Sequence, residues 1–199
     1  MKKAFLIVFL ILVVDQILKI YIKTHFFLGE EIHVMGDWFI IHFTENPGMA
    51  FGYELGFSWG KLALSLFRIA AIIALGFYIA HLVKRKSPTG LIISISLIMA
   101  GALGNMIDSA FYGVIFNESM FHEQAVLFPP DGGYAGFLHG KVVDMFYFPL
   151  FSFTWPEWVP WLGGDFFTFF QPVFNIADAS ISIGVALILL FQKRFFKHQ

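Results

Sequence analysis

The sequence predicts a four-helix membrane protein with a small β-sheet on its outer face, and three observations carry that prediction. First, the 199 residues are 58% hydrophobic and 19% aromatic, with only 14% charged. Together with a mean hydropathy of +0.73, this is more apolar surface than a soluble domain of this size can hide. Second, four windows, at about 4–22, 62–83, 91–107 and 173–191, are long and apolar enough to cross a bilayer core as helix, which takes ~20 residues. Third, the basic residues are sorted. Of the 13 Lys and Arg, eight (Lys2, Lys3, Lys84, Arg85, Lys86, Lys193, Arg194 and Lys197) lie at the two ends or in the short connection "KRKSPTG", segments without any Asp or Glu. Positive charge stays on the cytoplasmic side of a membrane, so both termini and that loop are expected there, and the two long connections, 23–61 and 108–172, outside.

The first window follows Lys2 and Lys3, as a secretory leader does, but it is too long, contains Asp15 and Lys19, and lacks a small-residue cleavage site. It is therefore expected to remain as a span. In the first outward connection, "HVMGDWFIIHFTENPG" is rich in β-branched and aromatic residues and closes on a turn at Asn46-Pro47-Gly48, which predicts extended chain in a small sheet. The second connection contains "LFPPDGGYAGFLHG" and "FTWPEWVPWLGGDFFTFF". Its Pro, Gly and Trp content predicts loops and interfacial segments too short to be further spans. No repeat or low-complexity tract divides the chain, so residues 1–199 are expected to form a single membrane domain.

Ionisable residues within a span cost at least ~2.5 kcal/mol each, so each needs a reason. Asp15 and Lys19 of "VVDQILK" lie one turn apart and suit a mutual ion pair. Arg68 has no evident role. In "GALGNMIDS", Gly101, Gly104, Asn105 and Asp108 share one helix face, which reads either as a small-residue packing motif with a polar end or as one wall of a polar site. Asn175 and Asp178 of "FNIADASISIG" have the spacing of a capping box at the head of the last span; cap and site are both open readings. Asp144, in "HGKVVDMFYF", sits in an apolar run with no capping role. By helical rise, Asp178 lies about 8 Å below the outer end of a span beginning at 173, and the spans place Asp108 and Asp15 toward the outer leaflet too. Two carboxyls brought together there would hold one proton between them, one accepting a proton from water while the other donates to a peptide carbonyl.

That chemistry requires neither thiol nor metal. The chain has no cysteine, which excludes a thiol nucleophile, a disulfide framework and a CxxC site. It has no HExxH, and its seven His are scattered, so no metal or other cofactor is expected. Ser180 and Ser182 lack a base nearby in sequence. The main rival reading is a proton-coupled carrier using the membrane Asp residues, but carriers usually show internal repeats and broken midplane helices. A structural four-helix membrane protein is the other alternative.

Taken in order, "VVDQILK", "ENPGMAFG", "GALGNMID", "GKVVDMFYF" and "FNIADASISIG" resemble lipoprotein signal peptidase, signal peptidase II, over most of the chain. The resemblance implies an intramembrane aspartic endopeptidase of the bacterial cytoplasmic (inner) membrane, an all-α protein of four transmembrane helices with a small periplasmic β-rich cradle. It implies removal of signal peptides from diacylglyceryl-modified prolipoproteins just before the lipidated cysteine, with membrane lipids as further partners, no nucleic acid, and action as a monomer. Asp144 and Asp178 would be the catalytic pair. Asp15, Asn46, Asn105, Asp108 and Asn175 would support the site, and Gly48, Ala50 and Phe51 would belong to its outer wall. Two departures stand out. Ser109 follows Asp108 where the family usually has Arg, and "GVIFN" at Gly113 carries no acid, the matching "GKVVD" arriving only at Gly140 after an inserted outer segment, 114–139.

Overall fold

The computed structural model describes residues 1–47 and 60–197. Among the described residues, four helices are long and apolar enough to cross a membrane: α1 (Lys2–His25), α2 (Gly60–Lys84), the run Thr89–Ile115, and α5 (Ile176–Phe195). The third is composite. α3 (Thr89–Ile107) passes into a π-helical turn, Asp108–Tyr112, and then into the single turn α4 (Gly113–Ile115).

The arrangement is inverted relative to a soluble bundle. Phe67 and Phe77 of α2 are 71% and 75% exposed, whereas Asp15 and Lys19 of α1 and Ser94, Ser96, Asn105 and Asp108 along the third span are buried. Apolar side chains face outward where lipid is the solvent, and polar ones turn inward to one another. α3 is the central helix, packed on α1, α2 and α5. Small residues set the α3–α5 approach: a Cβ on Gly101 would meet the carbonyl oxygen of Ala177 at 2.1 Å, and one on Gly184 would meet that of Ser94 at 2.6 Å. At the end opposite the sheet, Ala4, Leu82, Leu91 and Phe195 form one buried cluster. The start of α1, the α2–α3 connection and the end of α5 thus share one side of the bundle.

β1 (Glu31–Met35), β2 (Phe39–Asn46) and β3 (Val142–Tyr147) form an antiparallel sheet in that order. The β1–β2 turn lies at Gly36-Asp37-Trp38, with Gly36 at φ +54° and a bulge between His33 and Met35. Of the turn expected at Asn46-Pro47-Gly48, Asn46 is the last residue of β2, and Gly48 lies outside the described residues. The sequence pattern did not reveal that "VVDMFY" supplies the third strand, because an unalternating apolar run carries no strand period. Where loops were expected, β4 (Phe151–Thr154) pairs with β5 (Phe166–Phe169) as a separate hairpin. One of its faces stacks Phe151 on Phe169, ring centroids 4.9 Å apart, and the other joins Ser152 to Thr168 through a 3.0 Å hydrogen bond.

The inserted segment leaves and rejoins the fold at one point. Ala135 N–H donates to the Gly113 carbonyl at 2.8 Å, Tyr134 N–H to the Phe116 carbonyl at 3.0 Å, and Gly140 N–H to the Ser109 carbonyl at 2.9 Å. Gly140 is pressed so closely there that a Cβ would sit 2.1 Å from the Asp108 carbonyl oxygen. An out-and-back excursion of this kind lengthens the chain without displacing the strand that follows it.

Candidate active site

Two short alignments bring distant acids together. Phe174 forms a bridge with Phe146, donating N–H to its carbonyl at 3.0 Å and accepting from its N–H at 2.8 Å. The head of α5 is thereby tied to β3, two residues beyond Asp144. Across the sheet Asp144 stands opposite Thr44 of β2. α5 begins at Ile176, later than the predicted 173, so Asp178 lies in its first turn rather than about 8 Å along the helix. Phe174 is spent on the strand bridge instead.

Asn175 and Asp178 form a complete capping box: Asp178 N–H donates to Asn175 Oδ1 at 2.9 Å, and Asn175 N–H donates to Asp178 Oδ2. The same side chains also belong to the polar site. Asn175 Nδ2 donates to Asp144 Oδ1 at 2.6 Å and to Asn105 Oδ1 at 3.1 Å, and Asn105 Nδ2 donates to Asp178 Oδ1 at 2.7 Å. Two amides therefore bridge the two carboxyls. The cap and the polar cluster share the same side chains, because a helix N-terminus that needs an acceptor is also a place where a carboxylate is favoured.

A second layer sits behind the amides. Lys19 Nζ lies 3.1 Å from Asp15 and 2.7 Å from Asp108, all three fully buried, and donates to Asn105 Oδ1 at 2.9 Å. The expected Asp15–Lys19 pair is present, but Asp108 shares the ammonium. Asp15 Oδ1 also accepts from Ala177 N–H at 3.0 Å, closing another open donor of α5's first turn. Asp108 accepts from Gln16 Nε2 at 2.9 Å and from Val143 N–H at 3.3 Å, which links it to the strand carrying Asp144. Gly104 leaves room for this, since a Cβ there would come within 2.7 Å of Asp15 Oδ2.

Asp144 is 4% exposed. Burial first, and then the charge of Asp178, push its carboxyl from 3.8 up to about 8, against the opposing pull of Lys19 and of the hydrogen bond from Asn175. A carboxyl that keeps its proton near neutral pH beside a second carboxyl is the arrangement of an acid pair holding one proton.

Of the other expected site residues, Asn46 ends β2 opposite Val142, while Gly48, Ala50 and Phe51 lie outside the described residues. Sequence reasoning missed Gln16, whose Oε1 accepts from the buried Tyr112 hydroxyl at 3.1 Å, and a cluster around Lys23. Lys23 is fully buried, pairs with Glu45 and donates to Ser119 Oγ at 2.7 Å, while Lys141 pairs with Glu118. This ties the end of α1 to β2 and to the inserted segment. A signal was available: Asp15, Lys19 and Lys23 are spaced by four and line one face of α1.

The family described as Signal peptidase (SPase) II matches residues 7–194. The chain belongs to the signal peptidase II family. A lipoprotein signal peptidase of Porphyromonas gingivalis is 54% identical over 190 residues, covering 94% of this chain and 81% of its own length. One of Amoebophilus asiaticus is 41% identical over 187 residues, covering 92% and 75%. Among solved structures, a bacterial membrane enzyme determined by the in meso method at 2.3 Å superposes with a TM-score of 0.66 at 25% identity, covering 100% of this chain and 93% of its own. Another, at 1.9 Å, gives 0.65 at 26%, covering 100% and 96%.

Proposed function

We propose that this chain is an aspartic endopeptidase that removes signal peptides from diacylglyceryl-modified prolipoproteins, cutting before the lipidated cysteine, with Asp144 and Asp178 as its catalytic pair. The observation that carries the mechanism is the amide bridge from Asp144 through Asn175 and Asn105 to Asp178, with Asp144 pushed up to about 8. One carboxylate takes a proton from water as it attacks, and the other delivers its proton to the scissile carbonyl. Asn105 and Asn175 hold the pair in register, while Asp15, Asp108 and Lys19 hold the amides and the head of α5. Asn46, at the end of β2, belongs to the proposed site, and Gly48, Ala50 and Phe51, which the resemblance assigns to its outer wall, lie outside the described residues. The comparisons give no support to the carrier reading.

The pair works in its singly protonated form, so the sign of its pH dependence follows. As the pH rises through about 8, Asp144 loses the remaining proton and the rate falls. The purified chain is therefore expected to cleave a lipidated prolipoprotein with an alkaline limb near that value, indifferent to chelators. A rate that climbs steadily through pH 9, or that chelation abolishes, would contradict the mechanism.

In the proposed setting the chain spans the bacterial inner membrane as a monomer, with both termini cytoplasmic. Lys2, Lys3, Lys84, Arg85, Lys86, Lys193 and Arg194 belong to the segments that meet at the end of the bundle opposite the sheet, which supports that orientation. Exposed Trp158 and Trp161 beside the aromatic hairpin suit contact with outer-leaflet lipid. A reporter fused after His139 should report the outer side; cytoplasmic signal from it would reverse the topology.

A further inference from the structure

An arginine within a span requires a counter-charge, and the seat of Arg68 lies beside the buried acids. It lies on α2 in line with Ser65 and Ile72, three behind and four ahead, so these side chains share a helix face that Ile69 flanks. That face is fixed against the outer end of the third span. Ser65 Oγ donates to the Leu138 carbonyl at 3.1 Å, and Ile69 and Ile72 pack against Met106, Ala110 and Leu138. From this position Arg68 Nη1 donates to Ser109 Oγ at 3.3 Å. Ser109 is almost fully buried in the π-helical turn, and its carbonyl receives Gly140 N–H at the start of the segment leading to Asp144. The guanidinium is thereby held one residue from Asp108, whose Oδ2 accepts from Val143 N–H beside Asp144, on the side of the bundle where the carboxyls of Asp108, Asp144 and Asp178 gather.

Among the described residues, the charges facing the acid pair come from five elements. α1 presents Lys19 and Asp15, the third span Asp108, β3 Asp144, α5 Asp178 and α2 Arg68. Lys19 is engaged between Asp15 and Asp108. With one proton on the pair, three carboxylates face two cations; without Arg68 they would face one. Resting on the reading of Asp144 and Asp178 as the catalytic pair, we infer that Arg68 is a positioning residue of the peptidase: its guanidinium, seated on Ser109, is the fixed counter-charge that holds the acid pair in its singly charged form. The serine after Asp108 is then a seat for a cation delivered from the neighbouring helix.

The test is the pH profile of kcat on a lipidated prolipoprotein for wild type, Arg68→Gln, Arg68→Lys and Ser109→Ala. Removing a nearby positive charge raises carboxyl pKa values, so Arg68→Gln is expected to move both limbs upward by roughly 0.5–1 pH unit, with a smaller effect on KM. Arg68→Lys keeps the charge and should keep the wild-type limbs. Ser109→Ala unseats the guanidinium without removing it and should move the limbs in the same direction by less, which keeps the inference testable if Arg68→Gln fails to insert. Limbs of Arg68→Gln that superimpose on wild type would overturn the inference, as would unmoved limbs in Ser109→Ala. Asp144→Asn in the same assay separates the two levels. If it is inactive while Arg68→Gln tracks wild type, the counter-charge fails alone; if it turns over normally, the pair fails and the counter-charge with it.

Discussion

Replacing Asp144 or Asp178 by Asn is expected to lower kcat by about 10³-fold while the protein still inserts and folds. Asn keeps the shape and can hydrogen-bond, but it cannot give up or take up a proton. The two sites differ in what else is lost. Asp178 also closes the capping box of α5 through its Oδ2, so Asp178→Asn is expected to lower thermal stability as well, by about 1 kcal/mol. Asp144 caps no helix, and its burial disfavours the charged form; Asp144→Asn should leave stability unchanged or slightly raised. Turnover and thermal melting of the two purified variants check both statements. Near-normal turnover in either folded variant would exclude the pair as catalytic.

The second large effect is on the substrate. The acids lie where α5 and the third span reach the sheet, at the outer end of the proposed orientation, which is where acyl chains on a cysteine would run alongside the bundle. Burial of acyl chains contributes about 0.8 kcal/mol per CH₂. If only about three CH₂ groups exchanged into contacts made in the transition state, the gain of about 2.4 kcal/mol would be roughly 50-fold in kcat/KM. An unlipidated prolipoprotein is therefore expected to be cleaved at least roughly 50-fold more slowly than the diacylglyceryl form, measured by gel shift on matched substrates. Equal rates would leave a general intramembrane peptidase without lipid-directed recognition.

The spans were legible because lipid imposes a length and a composition that no other environment does. The acids were legible for the complementary reason: Asp144 in an apolar run and Asp178 near the head of a span stand out against what surrounds them. Partners from other elements were not. Arg68 donating to Ser109, Lys23 to Ser119 and Gln16 to Asp108 join residues far apart in sequence, and periodicity describes only the face of one helix. The strand role of "VVDMFY" was hidden because a strand buried on both faces loses its alternation. The β4–β5 hairpin was hidden for a different reason. Its Phe-Ser-Phe-Thr alternation spans only four residues among Pro, Gly and Trp, too short a run to outweigh the loop signal around it.

The most direct test of the account is the position of the cut. A synthetic prolipoprotein segment bearing a diacylglyceryl cysteine, incubated with the purified chain in detergent or nanodiscs and read by intact-mass spectrometry, is predicted to yield one new N-terminus, at the lipidated cysteine, with the intact signal peptide as the other product. A substrate left uncut under conditions where the protein is folded, or a cut elsewhere in the apolar segment, would contradict it.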